Sequence, residues 1–80
     1  MRLPKHVRQN IGQNLWIMRE ARGLSRAEVA RGLGLSLETV KAFEYGGPLP
    51  SAAEIQIMCR WYDMQVRDVF RHPGSWRTLH

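Results

Sequence analysis

The sequence predicts an all-α fold, one compact domain of five short helices, on three observations. Apolar residues recur at three- and four-residue spacing, and no stretch alternates apolar and polar positions with β-branched enrichment. Ser-x-x-Glu occurs twice at the head of such a run, at Ser25 to Glu28 and at Ser51 to Glu54. In that pattern the serine and glutamate side chains satisfy free amides at a helix start. Glycine or proline then punctuates the ends of the runs, and 80 residues leave room for a single domain.

The first helix is expected from near Lys5, just after Pro4, to Ala21 or Arg22. Val7, Ile11, Leu15 and Met18 fall on one stripe, and Gly23 stops it. The second opens at Ser25, turns Val29, Ala30 and Leu33 to one side, and closes at Gly34. The third opens at Ser36, carries Val40 and Phe43 inward and ends at Gly46. Gly46 to Pro50 cannot continue a helix. The fourth opens at Ser51, with Ile55, Met58, Cys59 and Tyr62 on one face and Asp63 in a left-handed stop. A short fifth helix is expected from about Val66 to Arg71, with Val66, Val69 and Phe70 inward. Residues 1–10 read as a basic arm plus the start of the first helix, 11–71 as the domain and 72–80 as a tail.

Composition narrows the chemistry. Hydrophobic residues make up 44%, too many for a disordered tail. One cysteine excludes a disulfide scaffold and every multi-Cys zinc pattern. No apolar run approaches the length of a membrane span, and the start does not read as a signal peptide, so a cytoplasmic setting is expected. His6, His72 and His80 lack partners at ligand spacing, and Cys59 falls on an apolar face. Ser25, Ser36 and Ser51 have capping roles and no base beside them. No catalysis, cofactor, metal or small-molecule ligand is expected. Twelve Lys and Arg against seven Asp and Glu leave a net charge of +5, which favours a polyanionic partner. The charges do not gather on one strongly amphipathic helix, which argues against a membrane surface.

The centre of the chain is the most informative. Only Leu33-Gly34-Leu35-Ser36 separates the second and third helices. A short glycine-containing turn between two short helices is the helix-turn-helix signature, and in DNA-binding versions the second helix enters the major groove. The stretch from Ile11 to Phe70 resembles the Cro/C1-type (XRE-like) helix-turn-helix domain of phage repressors and bacterial regulators. The matching pieces are Ile11-Gly12, Leu15, Met18-Arg19, Arg22-Gly23-Leu24-Ser25, Glu28-Val29-Ala30 and Leu33-Gly34-Leu35-Ser36. They continue with Thr39-Val40, Phe43-Glu44, Gly46, Pro50-Ser51, Ile55, Met58 and Val66.

The resemblance implies a lambda-repressor-like arrangement with the helix-turn-helix at helices 2 and 3, and a double-stranded DNA partner. It implies phosphate contacts at Arg26 and Tyr45; the helix start at Ser36, Arg22 and Lys5 of the arm are further phosphate candidates on charge and free amides. It places Leu37, Glu38, Thr39, Lys41 and Ala42 opposite the bases, and pairs Arg19 with Glu44 as a structural ion pair. Helical spacing agrees in part: with Val40 inward, Glu38, Lys41, Ala42 and Tyr45 point away from the core. The chain departs from the family on this face, which carries no Arg, Gln or Asn for bidentate base contacts.

Arg2, Lys5 and Arg8 could add backbone contacts through the arm. Trp16 and Ile17 on the first helix, and Ile57 with Trp61 on the fourth, fall away from the core stripes. They are expected to form a partner surface, most simply for a second copy, unless Trp76 or Leu79 of the tail covers them. The functional expectation is a sequence-specific transcriptional regulator associated with the nucleoid, a small dimeric repressor on a two-fold symmetric operator. The alternative is a protein-interaction module on the same scaffold, with weak non-specific DNA binding.

Overall fold

The structure is a computed structural model, and residues 3–74 are described. Five helices follow in the order α1 (Lys5–Ala21), α2 (Arg26–Leu33), α3 (Leu37–Glu44), α4 (Ala52–Tyr62) and α5 (Val66–Val69). α1 is the spine: α3 packs on one part of it, α4 and α5 on another, and α2 packs on α3. The core between them holds Ile11, Leu15, Met18, Val29, Val40, Phe43, Met58, Tyr62 and Val69 among its buried side chains. Each full burial of this kind contributes roughly 2 kcal/mol. Val7 is only partly buried and lies against the margin of this core.

The helix boundaries follow local chemistry. Ser25 Oγ accepts from the Glu28 amide at 3.0 Å while the Glu28 carboxylate accepts from the Ser25 amide at 2.9 Å. That backbone bond holds the Glu28 carboxyl below its ordinary pKa. Ser51 and Glu54 repeat the reciprocal arrangement at the head of α4. Gly34 takes a left-handed conformation, φ 70°, which reverses the chain between α2 and α3. Asp63 does the same after α4 at φ 55°.

Three expectations need correction. α3 ends at Glu44, with Tyr45 as its cap, before the expected stop at Gly46. α5 ends at Val69 instead of Arg71. There the buried amide nitrogen of Asn14 donates to the Val69 carbonyl at 2.8 Å and to the Arg71 carbonyl at 2.6 Å, holding the departing chain against α1. Pro73 also disfavours helix at the residue before it. A helix of four residues turns only one side chain fully inward. Val69 is buried, whereas Val66 and Phe70, expected inside, are 41% and 58% exposed.

Candidate nucleic-acid interface

Because α2 and α3 are short and joined through a left-handed glycine, α3 stands with one face in the core and one in solvent. Val40 and Phe43 point inward. Leu37 and Glu38 are exposed at the start of α3, and Thr39, Lys41 and Ala42 are partly exposed. The expected base-facing residues therefore share the outward side of one helix, except that two of them are engaged locally. Thr39 Oγ1 lies 2.8 Å from Ser36 Oγ, and Ala42 offers its carbonyl to the Gly47 amide. Lys41 and Glu38 approach at 3.8 Å, an exposed pair worth no more than about 1 kcal/mol, so the lysine remains available to other anions. Ser36 is the α3 cap, its Oγ accepting from the Thr39 amide.

The base of this helix is built around one carboxylate. Glu44 is wholly buried, and Arg19 Nε donates to its Oε2 at 2.7 Å, with Arg19 Nη2 3.3 Å from Oε1. Arg19 Nη1 also donates to the Leu24 carbonyl at 2.6 Å, so this guanidinium ties α1, the α1–α2 turn and α3 together. Sequence reasoning placed Arg19 against Glu44 and missed the third member: Arg26 Nε donates to Glu44 Oε1 at 2.7 Å. That hydrogen bond raises the Arg26 pKa further above its already high ordinary value. Two guanidinium groups share the buried carboxylate, and the exposed Glu20 carboxylate lies 3.8 Å from Arg19 Nη2 at the rim.

Around Arg26 the structure gathers residues that the sequence had assigned to different roles. The Arg26 guanidinium carbon lies 4.8 Å from the Trp16 ring centroid and 5.3 Å from that of Tyr45. The two rings lie 5.7 Å apart and are tilted by 57°. Trp16 Nε1 donates to Glu20 Oε1 at 2.7 Å, which fixes the indole on α1. Trp16 sits three residues before Arg19, on the same side of the helix, and this spacing was the signal that could have placed it here.

The four apolar residues expected to make one partner surface fall apart. Trp16 and Ile17 border a groove with Gln9, Gln13, Glu44 and Tyr45. Trp61 instead lies over Gly32 of α2, beside Leu24 and Val29. Ile57 is partly buried on α4, one turn before Trp61. Lys5 is exposed in the first turn of α1, and Arg22 is exposed where α1 ends. Arg8 lies within α1, in keeping with a helix start near Lys5, and its guanidinium donates to the Leu3 carbonyl at 2.6 Å. Arg2 of the arm lies outside the described residues, as do Trp76 and Leu79. No helix among the described residues is long and apolar enough to cross a membrane.

A family model described as a helix-turn-helix domain matches residues 10–72. Among solved structures, the chain is 31% identical to the restriction-modification controller protein C.AhdI from Aeromonas hydrophila, with a TM-score of 0.68. That match covers 78% of this chain and 94% of the other. A hypothetical transcription factor, NHTF, from Neisseria shares the fold at a TM-score of 0.76 and 23% identity, over 100% of this chain and 94% of its own. No curated protein matches significantly. With its five helices, its turn at Gly34 and its Arg19–Glu44 pair in the order of the Cro/C1 type, this chain belongs to the helix-turn-helix domain family.

Proposed function

We propose that this protein is a transcriptional regulator that binds double-stranded DNA through α3, acting as a dimeric repressor on a two-fold symmetric operator. The observation that carries this reading is the outward face of α3, with Arg26 at the head of α2 and Tyr45 at the end of α3 close together beside it. α3 enters the major groove with Leu37, Glu38, Thr39, Lys41 and Ala42 toward the bases. Leu37 and Ala42 suit thymine methyl groups, Glu38 suits cytosine N4, and Lys41 suits guanine or a phosphate. Arg26, Tyr45, Arg22, Lys5 and the amides at the Ser36 cap meet phosphates. The net charge of +5 supports the same partner. The helix-turn-helix family match supports it as well. Ile57 and Trp61, away from the Arg26 junction, are the face offered to the second copy.

The test is selection from a random duplex pool at low and at physiological salt. Enrichment of a short two-fold symmetric site at physiological salt supports the full reading. Enrichment of a single half-site removes the dimer and keeps the DNA contact. Binding without enrichment, lost steeply as salt rises, would leave only charge at work and sink sequence-specific regulation.

A further inference from the structure

We propose that Trp16 is a positioning residue for the DNA contact, holding the Arg26 guanidinium in place before the duplex arrives. This rests on the reading of α3 as a DNA-binding helix. Sequence spacing set Trp16 apart as part of a surface for a second copy; the structure puts its ring 4.8 Å from the Arg26 guanidinium carbon.

An arginine side chain is long, and freezing it on a phosphate costs side-chain entropy. Here that freedom is already restricted from α1, from α3 and from the residue that caps α3. Glu44 of α3 takes the Nε edge at 2.7 Å, and the Trp16 indole of α1 covers the guanidinium. Tyr45, just past α3, lies close to the other two, 5.3 Å from the guanidinium carbon. Trp16 is itself fixed by its bond to Glu20. The Arg26 side chain stays 21% exposed, so the held group keeps solvent-facing surface for a phosphate. Glu44 divides its charge between Arg26 and Arg19, and the second carboxylate nearby, Glu20, is 64% exposed and lies 3.8 Å from Arg19 Nη2. A cation against an aromatic face, prepared in this way, spends less of its binding energy on ordering.

The experiment compares wild type, Trp16→Ala, Trp16→Phe, Arg26→Ala and the Trp16→Ala/Arg26→Ala double variant by duplex titration across a salt series. Folding of each is checked by circular dichroism. The Arg26 Nε–H resonance is followed by NMR in the free proteins. Trp16→Ala is expected to weaken binding about tenfold, on selected and random duplexes alike, because a phosphate contact carries no sequence information. Trp16→Phe restores most of the loss, and the double variant binds no worse than Arg26→Ala. In the free protein the Arg26 Nε–H signal shifts in Trp16→Ala, as the ring current is removed. An equal loss from Trp16→Ala with Arg26 already absent overturns the proposal. So does an Arg26 signal indifferent to the indole. If Trp16→Ala does not fold, Trp16→Leu takes its place in the cycle, and an Arg26 signal unchanged between Trp16→Leu and wild type overturns the proposal. A wild type that binds no duplex overturns the DNA reading and this role with it; a wild type that binds while the cycle shows no coupling overturns this role alone.

Discussion

Toward α3, α1 adds ionic and close backbone contacts to the apolar core that Ile11, Leu15 and Met18 share with Val40 and Phe43. Gly12 packs so closely on the end of α3 that an added Cβ would fall 2.5 Å from the Phe43 carbonyl oxygen and 2.7 Å from that of Glu44. Arg19, one turn after Leu15 and next to Met18, then reaches Glu44. Toward α4 and α5, α1 meets Met58, Cys59, Tyr62 and Val69, all buried, with the Asn14 amide as the polar bond across the junction. Carboxylate–guanidinium bonds and a backbone approach have direction and tolerate little displacement. Apolar packing is less particular, and volume-conserving changes there are usually mild. The directional contacts are gathered where the orientation of α3 is set, and the adaptable ones where only a stable support is needed.

This contrast is open to test, and the largest effect is expected at the ionic side. Glu44→Gln leaves the Arg19 charge buried without its carboxylate and is expected to cost about 3–5 kcal/mol in urea unfolding. A loss under 1 kcal/mol would mean that solvent replaces the carboxylate and that the junction is not locked by charge. Gly12→Ala comes next, at about 3 kcal/mol, because the methyl group meets backbone oxygens that no rotamer change can move. Thermal unfolding reads this directly, and an unchanged midpoint would show that α1 slides freely on α3.

On the other side, Asn14→Ala is expected to cost about 2 kcal/mol, since the Val69 and Arg71 carbonyls lose their donor. Amide exchange should quicken in α5 while α2 and α3 keep their protection; uniform quickening would erase the division between the two sides. The smallest effect belongs to Tyr62, whose buried hydroxyl meets no hydrogen-bond partner among the described residues. Burial pushes its pKa well above the ordinary tyrosine value. Tyr62→Phe is therefore expected to be neutral or to stabilise by up to about 1 kcal/mol. A clear loss of stability would reveal a partner for the hydroxyl and a more polar support than the apolar contacts indicate.

Much of the helix-turn-helix was legible from local signals. Ser25 with Glu28, Ser36 and Ser51 with Glu54 mark helix starts because their side chains act within one turn of their own position. Gly34 and Asp63 mark ends for an equally local reason, since both sit at positive φ. α5 was read less well. Its periodicity covers too few residues to fix a face, so Val66 and Phe70 were turned inward on paper and stand in solvent in the fold. The end of α5 depends on Asn14, more than fifty residues away, and no local pattern announces that contact.

The candidate interface divides along the same line. Which residues lie on the outer face of α3 follows from helical spacing once Val40 is placed inside, and the sequence alone determined it. The sequence also determined the basic charge, the turn at Gly34 and the order of the helices, all properties of neighbours along the chain. Tertiary structure decided that Glu44 serves Arg26 as well as Arg19, and that Trp16 lies against Arg26 while Trp61 lies against Gly32. It decided these because they depend on the angle and distance between helices. Those are set by close approaches such as Gly12 on α3, which a one-dimensional pattern does not contain.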